Sequence, residues 1–283
     1  MVLLIYRAEE YSPNNVAKDK AILDAVGREL SANGHEVVFR DEDSVTNEDM
    51  VSASKVFSMA RRWRSLLRQE QVINEGINKP QGVRISAHSR ELTMELLQSA
   101  GVDVPPFWAY EPSEDRMFSC EPELQELLPA WVKGMNPRGV TSGDVRFVNT
   151  PLEADSAVIE MSADGYTDII VSSHVQGKVL KCYCVTDGDG QMWLKHFFPQ
   201  DEGYTKFGDE QHNAVVEEEV KTSDEMLRDI ARKISAILNL NVFGFDSIVT
   251  TEGRVSVIDV NDWPSFSRFR DEAASHIAKL IEK

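Results

Sequence analysis

Three oxygen-bearing side chains late in the chain have the types and spacing for cation chemistry. Asp246 sits in Phe243-Gly244-Phe245-Asp246-Ser247-Ile248-Val249, and Asp259 and Asn261 sit in Val255-Ser256-Val257-Ile258-Asp259-Val260-Asn261-Asp262. Both stretches read as apolar strands joined by a short turn containing Gly253. An ionised carboxylate inside an apolar strand is costly unless a counter-charge or a metal takes it up. Residues 259 and 261 share one face of a strand, because side chains alternate. If Asp246 occupies the neighbouring strand, three hard oxygen donors converge. Such donors, with positions left for phosphate oxygens and water, suit Mg²⁺, or Mn²⁺ in its place, carrying ATP. The same residues also suit a buried hairpin whose exit turn is Asn261-Asp262 followed by Trp263-Pro264.

Complementary positive charge occurs upstream. Lys133 ends the apolar run Pro129-Ala130-Trp131-Val132, ahead of a polar loop over residues 136–144 that holds Gly139 and Gly143. A lysine beside glycine-bearing backbone is the make-up of a phosphate clamp, with Arg138 as added charge. A lysine at a strand tip can equally be solvated. Lys195 alternates with His196 in the strand from Met192 and is a candidate for reaching a transferred phosphoryl group or its acceptor. Arg61, Arg62, Arg64 and Arg68 form either a solvated helix face or an anion pocket, and Ser267-Arg268-Phe269-Arg270 is a second short basic segment. The pair Cys182 and Cys184 lacks the second Cys/His pair of a zinc site and reads as two small buried hydrophobes. Asp187-Gly188-Asp189-Gly190 lacks the remaining ligands of a calcium loop and reads as a hairpin turn.

The elements that must hold these groups follow from periodicity. The chain has 283 residues, enough for two or three lobes, and a net charge of −17. That balance disfavours nucleic acid and anionic membranes as partners, both of which need a positive footprint. No apolar run reaches membrane-spanning length, the first six residues are too short for a signal peptide, and three cysteines suit a reducing cytoplasm. A strand at residues 2–6, a helix over 15–32 ended by Asn33-Gly34, and a strand at 36–39 predict an open parallel βαβ unit. It lacks the G-x-G-x-x-G dinucleotide fingerprint. Acidic residues 41–49 read as a loop, and residues 55–59 as a further strand. Helices are predicted over 91–100, 152–163, 223–240 and 272–281. Strands are predicted at 107–110, 145–148 and 192–198, and two more over 167–185 with a hinge between them. Residues 200–219 read as an acidic, irregular lid.

Taken together, several motifs resemble the ATP-grasp superfamily. They are Gly244-Phe245-Asp246, a turn, and Asp259-Val260-Asn261 with Pro264 nearby; the helix exit Ala100-Gly101-Val102-Asp103-Val104-Pro105; Val132-Lys133 before a loop; and the block from Ile169 to Val185 with its hinge. The resemblance spans residues 72–266 and implies an α/β protein with α+β lobes. ATP and Mg²⁺ would be sandwiched between two lobes, behind an N-terminal open-sheet βαβ domain. It implies domains at 1–88, 89–174 and 175–283. It also implies Arg90, in the place of a family lysine, Lys133 and Lys181 at the phosphates, with Lys181 and Lys195 as candidate catalytic groups. The hinge residues Ser173, His174 and Val175 would lie at adenine, and Asp246, Asp259 and Asn261 at the metal. Lys181 and the Asp-x-Asn ending resemble the inositol phosphate kinase branch. The expected activity is ligation of a small-molecule or peptide carboxylate to an amine through an acyl phosphate. The alternatives are a kinase acting on a polyol hydroxyl and a degenerate nucleotide-binding protein.

Overall fold

The computed structural model describes residues 1–12, 16–73, 89–110, 117–135, 143–187, 190–199, 220 and 222–282. Arg138 with most of its loop, the stretch 74–88, part of the turn at 187–190 and the lid expected at 200–219 lie outside the described residues.

Three sheets carry the described chain. The first is parallel, in the order β2-β1-β3, from β1 (Val2–Tyr6), β2 (Val37–Asp41) and β3 (Lys55–Ser58). Between β1 and β2 runs α1 (Val16–Ala32), whose Ile22, Leu23, Val26 and Leu30 recur at helical spacing and are buried. The expected acidic loop instead contains the start of a helix, α2 (Asn47–Ser52). Thr46 and Asp49 form a reciprocal capping box there, so polar residues that read as loop are the helix's start signal. The arginine-rich segment runs into α3 (Trp63–Ile73).

The second sheet is antiparallel, β4-β7-β5-β6, from β4 (Phe107–Tyr110), β5 (Ala130–Met135), β6 (Val145–Val148) and β7 (Asp168–Ser173). α4 (Arg90–Ser99) precedes it, and its N-terminus is capped by the Ser89 hydroxyl. A short α5 (Pro122–Gln125) and then α6 (Pro151–Ala163) follow. α6 covers one face, packing Ala154, Ala157, Val158 and Met161 on Ala130, Val132 and Val171. Alternation therefore turns Trp131 and Lys133 to the opposite face.

The third sheet, β11-β10-β8-β9, is built from β8 (Lys178–Thr186), β9 (Met192–Phe197), β10 (Val242–Val249) and β11 (Val255–Asp262). α7 (Asp224–Leu238) lays Leu227, Ile230, Ala231, Ile234 and Leu238 on Leu180, Cys182, Cys184, Phe243 and Phe245. Lys181, Tyr183, Gly244 and Asp246 consequently face away from that core. The C-terminal α8 (Arg270–Ala278) packs with α1. Phe57, Trp263 and Phe266 belong to the same core, which joins the first sheet to the far end of the third. Burial pushes the thiols of Cys182 and Cys184 upward, as expected for two apolar core residues.

Candidate active site

The acidic residues owe their meeting to an irregularity in β11. Along the β10–β11 ladder Asp246 opposes Asp259 and Gly244 opposes Asn261, but Ser247 opposes Val257, leaving Ile258 as an extra residue. This β-bulge re-phases the strand. Val255 and Val257 before it and Val260 after it all enter the core against α7. Asp259 and Asn261 are thereby turned to the face that carries Asp246 and Lys181. Without the bulge, strict alternation would send Asp259 into the same core as Val257.

Positive charge reaches this face from both large sheets. Lys181 is the cross-strand partner of Asp246 on β8, and its Nζ donates to Asp246 Oδ2 at 2.6 Å. Burial works against the Lys181 ammonium, but the Asp246 carboxylate outweighs it and holds the lysine above its usual range. Arg90, at the start of α4, donates through Nε to the Gly134 carbonyl at 3.3 Å, and its Nη1 lies 3.5 Å from Asp259 Oδ1. Its backbone N–H is held by Asp168 at the start of β7. Lys133, 9% exposed, crosses from β5 to donate to the Ile258 carbonyl of the bulge at 3.2 Å. Asn261 Nδ2 donates to Asp259 Oδ2 at 2.9 Å, which presents its amide oxygen as a donor atom for a cation.

Asp246, Asp259 and Asn261 thus share one face with Lys181, Arg90 reaches them from the start of α4, and Lys133 arrives from β5 of the second sheet. Two carboxylates and an amide oxygen on neighbouring strands are the hard, sparse donor set that Mg²⁺ or Mn²⁺ takes while keeping positions for phosphate and water. Among the described residues there is no cluster of three or more His, Cys, Asp or Glu side chains that would form an all-protein cage.

The hinge residues separate in role. The N–H groups of Ser173 and His174 donate to the carbonyls of Pro106 and Pro129, each at 2.8 Å. The His174 ring lies near Trp131 and Phe147; Nδ1 accepts from Trp131 Nε1 at 3.1 Å, so Nε2 carries the proton toward Gln176 Oε1 at 3.2 Å. Val175 instead joins Val179, Ile248 and Ile258 in an apolar patch on the same face of the third sheet as the charges. Gly177 permits this close approach: a Cβ there would meet the Val249 carbonyl oxygen at 2.3 Å. Lys195 stands apart from the acidic group, with its Nζ 3.2 Å from Glu272 of α8, while His196 faces α7 and meets Asp224 at 3.1 Å.

Two contributors escaped the sequence reading. One is the bulge, signalled by apolar residues at 257 and 260, a spacing that regular alternation cannot bury on one face. The other is fully buried Asp262, whose carboxylate is ion-paired with Arg61. Its carbonyl accepts from Arg7 at 3.3 Å and Arg61 at 3.1 Å. Burial, with Arg61 alongside, lowers the Arg7 guanidinium to about 10. Arg61 therefore braces the end of β11 against the first sheet, and Arg62 pairs with Glu10 and Asp43 at 2.9 and 3.2 Å.

No protein-family model matches the chain. Among solved structures, the D-alanyl-alanine synthetase A of Vibrio cholerae superposes with a TM-score of 0.72 at 12% identity, covering 99% of this chain and 97% of that one. The ATP complex of Bacillus anthracis D-alanine–D-alanine ligase gives 0.67 at 16% identity, covering 99% and 94%. The ATP-grasp ligase PsnB, complexed with its minimal precursor, gives 0.62 at 14%, covering 99% and 98%. The chain has the ATP-grasp fold, and at these identities the likeness is one of fold. Among curated proteins, an inositol-tetrakisphosphate 1-kinase of Danio rerio is 33% identical over 66 residues, which are 22% of this chain and 17% of that kinase. Among the described residues no helix is long and apolar enough to cross a membrane.

Proposed function

We propose that the protein is a Mg²⁺- and ATP-dependent ligase that joins a small-molecule or peptide carboxylate to an amine. The observation that carries this reading is the convergence of Lys181 and Lys133, from two sheets, and of Arg90, from the start of α4, on the Asp246–Asp259–Asn261 group. Full-length likeness to ligase structures supports the same reaction class.

In that class a carboxylate oxygen takes the γ-phosphoryl group of ATP, ADP carries off the electron pair of the broken P–O bond, and an amine then displaces phosphate from the acyl carbon and gives up a proton. The chemistry needs positioning and charge neutralisation more than a protein nucleophile. A divalent cation held by Asp246, Asp259 and Asn261 would supply neutralisation at the phosphate oxygens. The protein's own residues do the remainder. Lys181 and Arg90, paired with Asp246 at 2.6 Å and with Asp259 at 3.5 Å, stand where they would meet the phosphate oxygens beside a cation held by those carboxylates. Lys133 reaches the phosphates from the facing sheet. The apolar patch of Val175, Val179, Ile248 and Ile258 takes the adenine beside the hinge, which fixes the direction of the nucleotide along the third sheet. Lys195 stays a candidate for the acceptor side of the site, past Lys181 on the next strand.

The test supplies carboxylates and amines singly and in pairs and follows ADP and inorganic phosphate. A ligase releases the two in equal amounts only when both acceptors are present. The kinase reading draws on the 66-residue match and on Lys181 with the Asp-x-Asn ending. It predicts ADP without free phosphate, the phosphate remaining on a hydroxyl. Nucleotide binding with no turnover under any acceptor would overturn both and leave a binding protein.

A further inference from the structure

The segment that carries Asp259 and Asn261 is fastened just beyond its last candidate ligand. Asp262, the final residue of β11, is fully buried, and its carboxylate is ion-paired with Arg61. Arg61 grips the backbone of that residue as well, since its Nη2 donates to the Asp262 carbonyl at 3.1 Å. Arg7 donates to the same carbonyl at 3.3 Å and to that of Trp263 at 3.2 Å. Trp263 has a φ of 45°, a conformation that a bulky side chain keeps only where its surroundings hold it there. Two guanidinium groups therefore hold a strained turn immediately after Asn261.

The arginines stand on a fixed base. Arg7 follows β1 and Arg61 lies shortly after β3. Glu42, just past β2 and buried, accepts from the backbone N–H groups of Ala8, Arg61 and Arg62. The carboxyl ends of all three strands of the first sheet thus meet in one network that terminates on β11. Cohesion does not call for it, because the apolar core around Phe57, Trp263 and Phe266 already joins the first sheet to the third. A buried ion pair adds little stability over well-packed apolar residues of the same volume. What the network adds is position. Carbonyls fixed at 262 and 263 set where β11 ends, and with the bulge at Ile258 they fix the phase of the residues between. At the other end of that segment the Ile258 carbonyl is held by Lys133, itself a proposed phosphate ligand. The fastening at Asp262 is the one that nucleotide leaves untouched.

Resting on the cation site described above, we propose that Arg61 and Asp262, mounted by Glu42, are positioning residues for the cation. They hold β11 in the register in which Asp259 and Asn261 present their oxygens beside Asp246. The first sheet supplies none of the three candidate ligands, yet through this pair it sets how tightly they bind.

The experiment is a Mn²⁺ titration followed by electron paramagnetic resonance, with a non-hydrolysable ATP analogue present. Loss of Arg61 alone would leave the Asp262 carboxylate buried without its partner, so the main variant is the double Arg61→Met/Asp262→Asn, which removes both charges together. Arg61→Lys keeps the charge but loses the fork that serves carboxylate and carbonyl at once. Thr46→Ala is the control, since it weakens the same lobe through the capping box of α2 alone. Circular dichroism checks folding. Groups that hold a metal-ligating residue in place are worth about tenfold or more in metal affinity, and that loss of Mn²⁺ affinity is expected in the double variant. Arg61→Lys should lose part of it, Thr46→Ala none, and binding of the analogue in chelator should be unchanged throughout. Wild-type Mn²⁺ affinity in the double variant overturns the positioning role and leaves the cation site standing. An equal loss in Thr46→Ala, or an equal loss of analogue binding in chelator, also overturns it, because a general loosening of the lobe would then account for the effect. Should the double variant not fold, Arg61→Lys decides: weakened Mn²⁺ binding with Thr46→Ala unaffected supports the role, and wild-type affinity overturns it. A wild type that takes up no Mn²⁺ with the analogue removes the cation site itself, and the positioning role with it.

Discussion

Replacing Asp259 by asparagine removes one formal charge and almost no volume, and it separates a metal ligand from a structural ion pair. Asp246 and Asp259 are cross-strand partners, so their carboxylates repel by about 1–3 kcal/mol over a separation of about 5 Å at a partly exposed position. Lys181 at 2.6 Å and Arg90 at 3.5 Å offset this. The Arg90–Asp259 pair is exposed enough, at 21% and 39%, to be worth no more than about 1 kcal/mol. With gain and loss of similar size, Asp259→Asn is expected to melt within about 3 °C of the wild type when metal and nucleotide are absent. Ligand changes the outcome. At a hundredfold excess over Kd, binding stabilises the wild type by about 2.7 kcal/mol, or about 5–10 °C for a chain of this size. The assay is thermal unfolding with a non-hydrolysable ATP analogue, in Mg²⁺ and in chelator. The Mg²⁺-dependent part of the shift is expected to vanish in Asp259→Asn while the chelator-resistant part remains. An undiminished Mg²⁺-dependent shift would refute the metal assignment. A large loss of stability without ligand would make Asp259 a structural ion-pair member instead.

Other consequences can be measured alongside. Lys133→Met removes a nearly buried charged donor, which is worth about 1.5–3 kcal/mol; calorimetry should find ATP binding weakened about tenfold or more, and an unchanged titration would exclude Lys133 from the site. Thr46→Ala breaks the capping box of α2 and should cost about 1 kcal/mol in denaturant unfolding at neutral pH. Hydrogen bonds from the Thr46 backbone and hydroxyl lower the Asp49 carboxyl from 3.8, so the stabilisation is present above that value and is lost as pH falls through the lower folded-state value. The gap between wild type and variant should therefore narrow below about pH 4, and a gap constant down to pH 2 would contradict the capping account.

Much of this architecture could be read from the residues because local and global signals agree. The periodicity of Ile22, Leu23, Val26 and Leu30 gave α1, and the apolar residues of 226–238 gave α7. Paired apolar runs flanking Gly253 gave the β10–β11 hairpin. The grouping of the candidate ligands was harder to reach. Same-face spacing at 259 and 261 is necessary for it, but Ile258 decides which face that is, and an extra residue in one strand is a property of the pair. Long-range partners were likewise hidden. Arg61 read as a member of a basic patch and instead braces Asp262, 201 residues away. The contact of Lys195 with Glu272 on α8 was equally out of view. Residues 41–49 misled for a local reason, since Thr46 and Asp49 favour turns and helix starts equally until the following residues commit.

Crystals grown with Mn²⁺ and a non-hydrolysable ATP analogue would test the central claim most directly, through the anomalous signal of the metal. The account predicts a peak within about 2.0–2.4 Å of carboxylate oxygens of both Asp246 and Asp259 and of the Asn261 amide oxygen, with analogue phosphates bridging to Lys181 and Lys133. A peak elsewhere, or phosphates bound with Asp246 still closed on Lys181 and no metal between the strands, would contradict it.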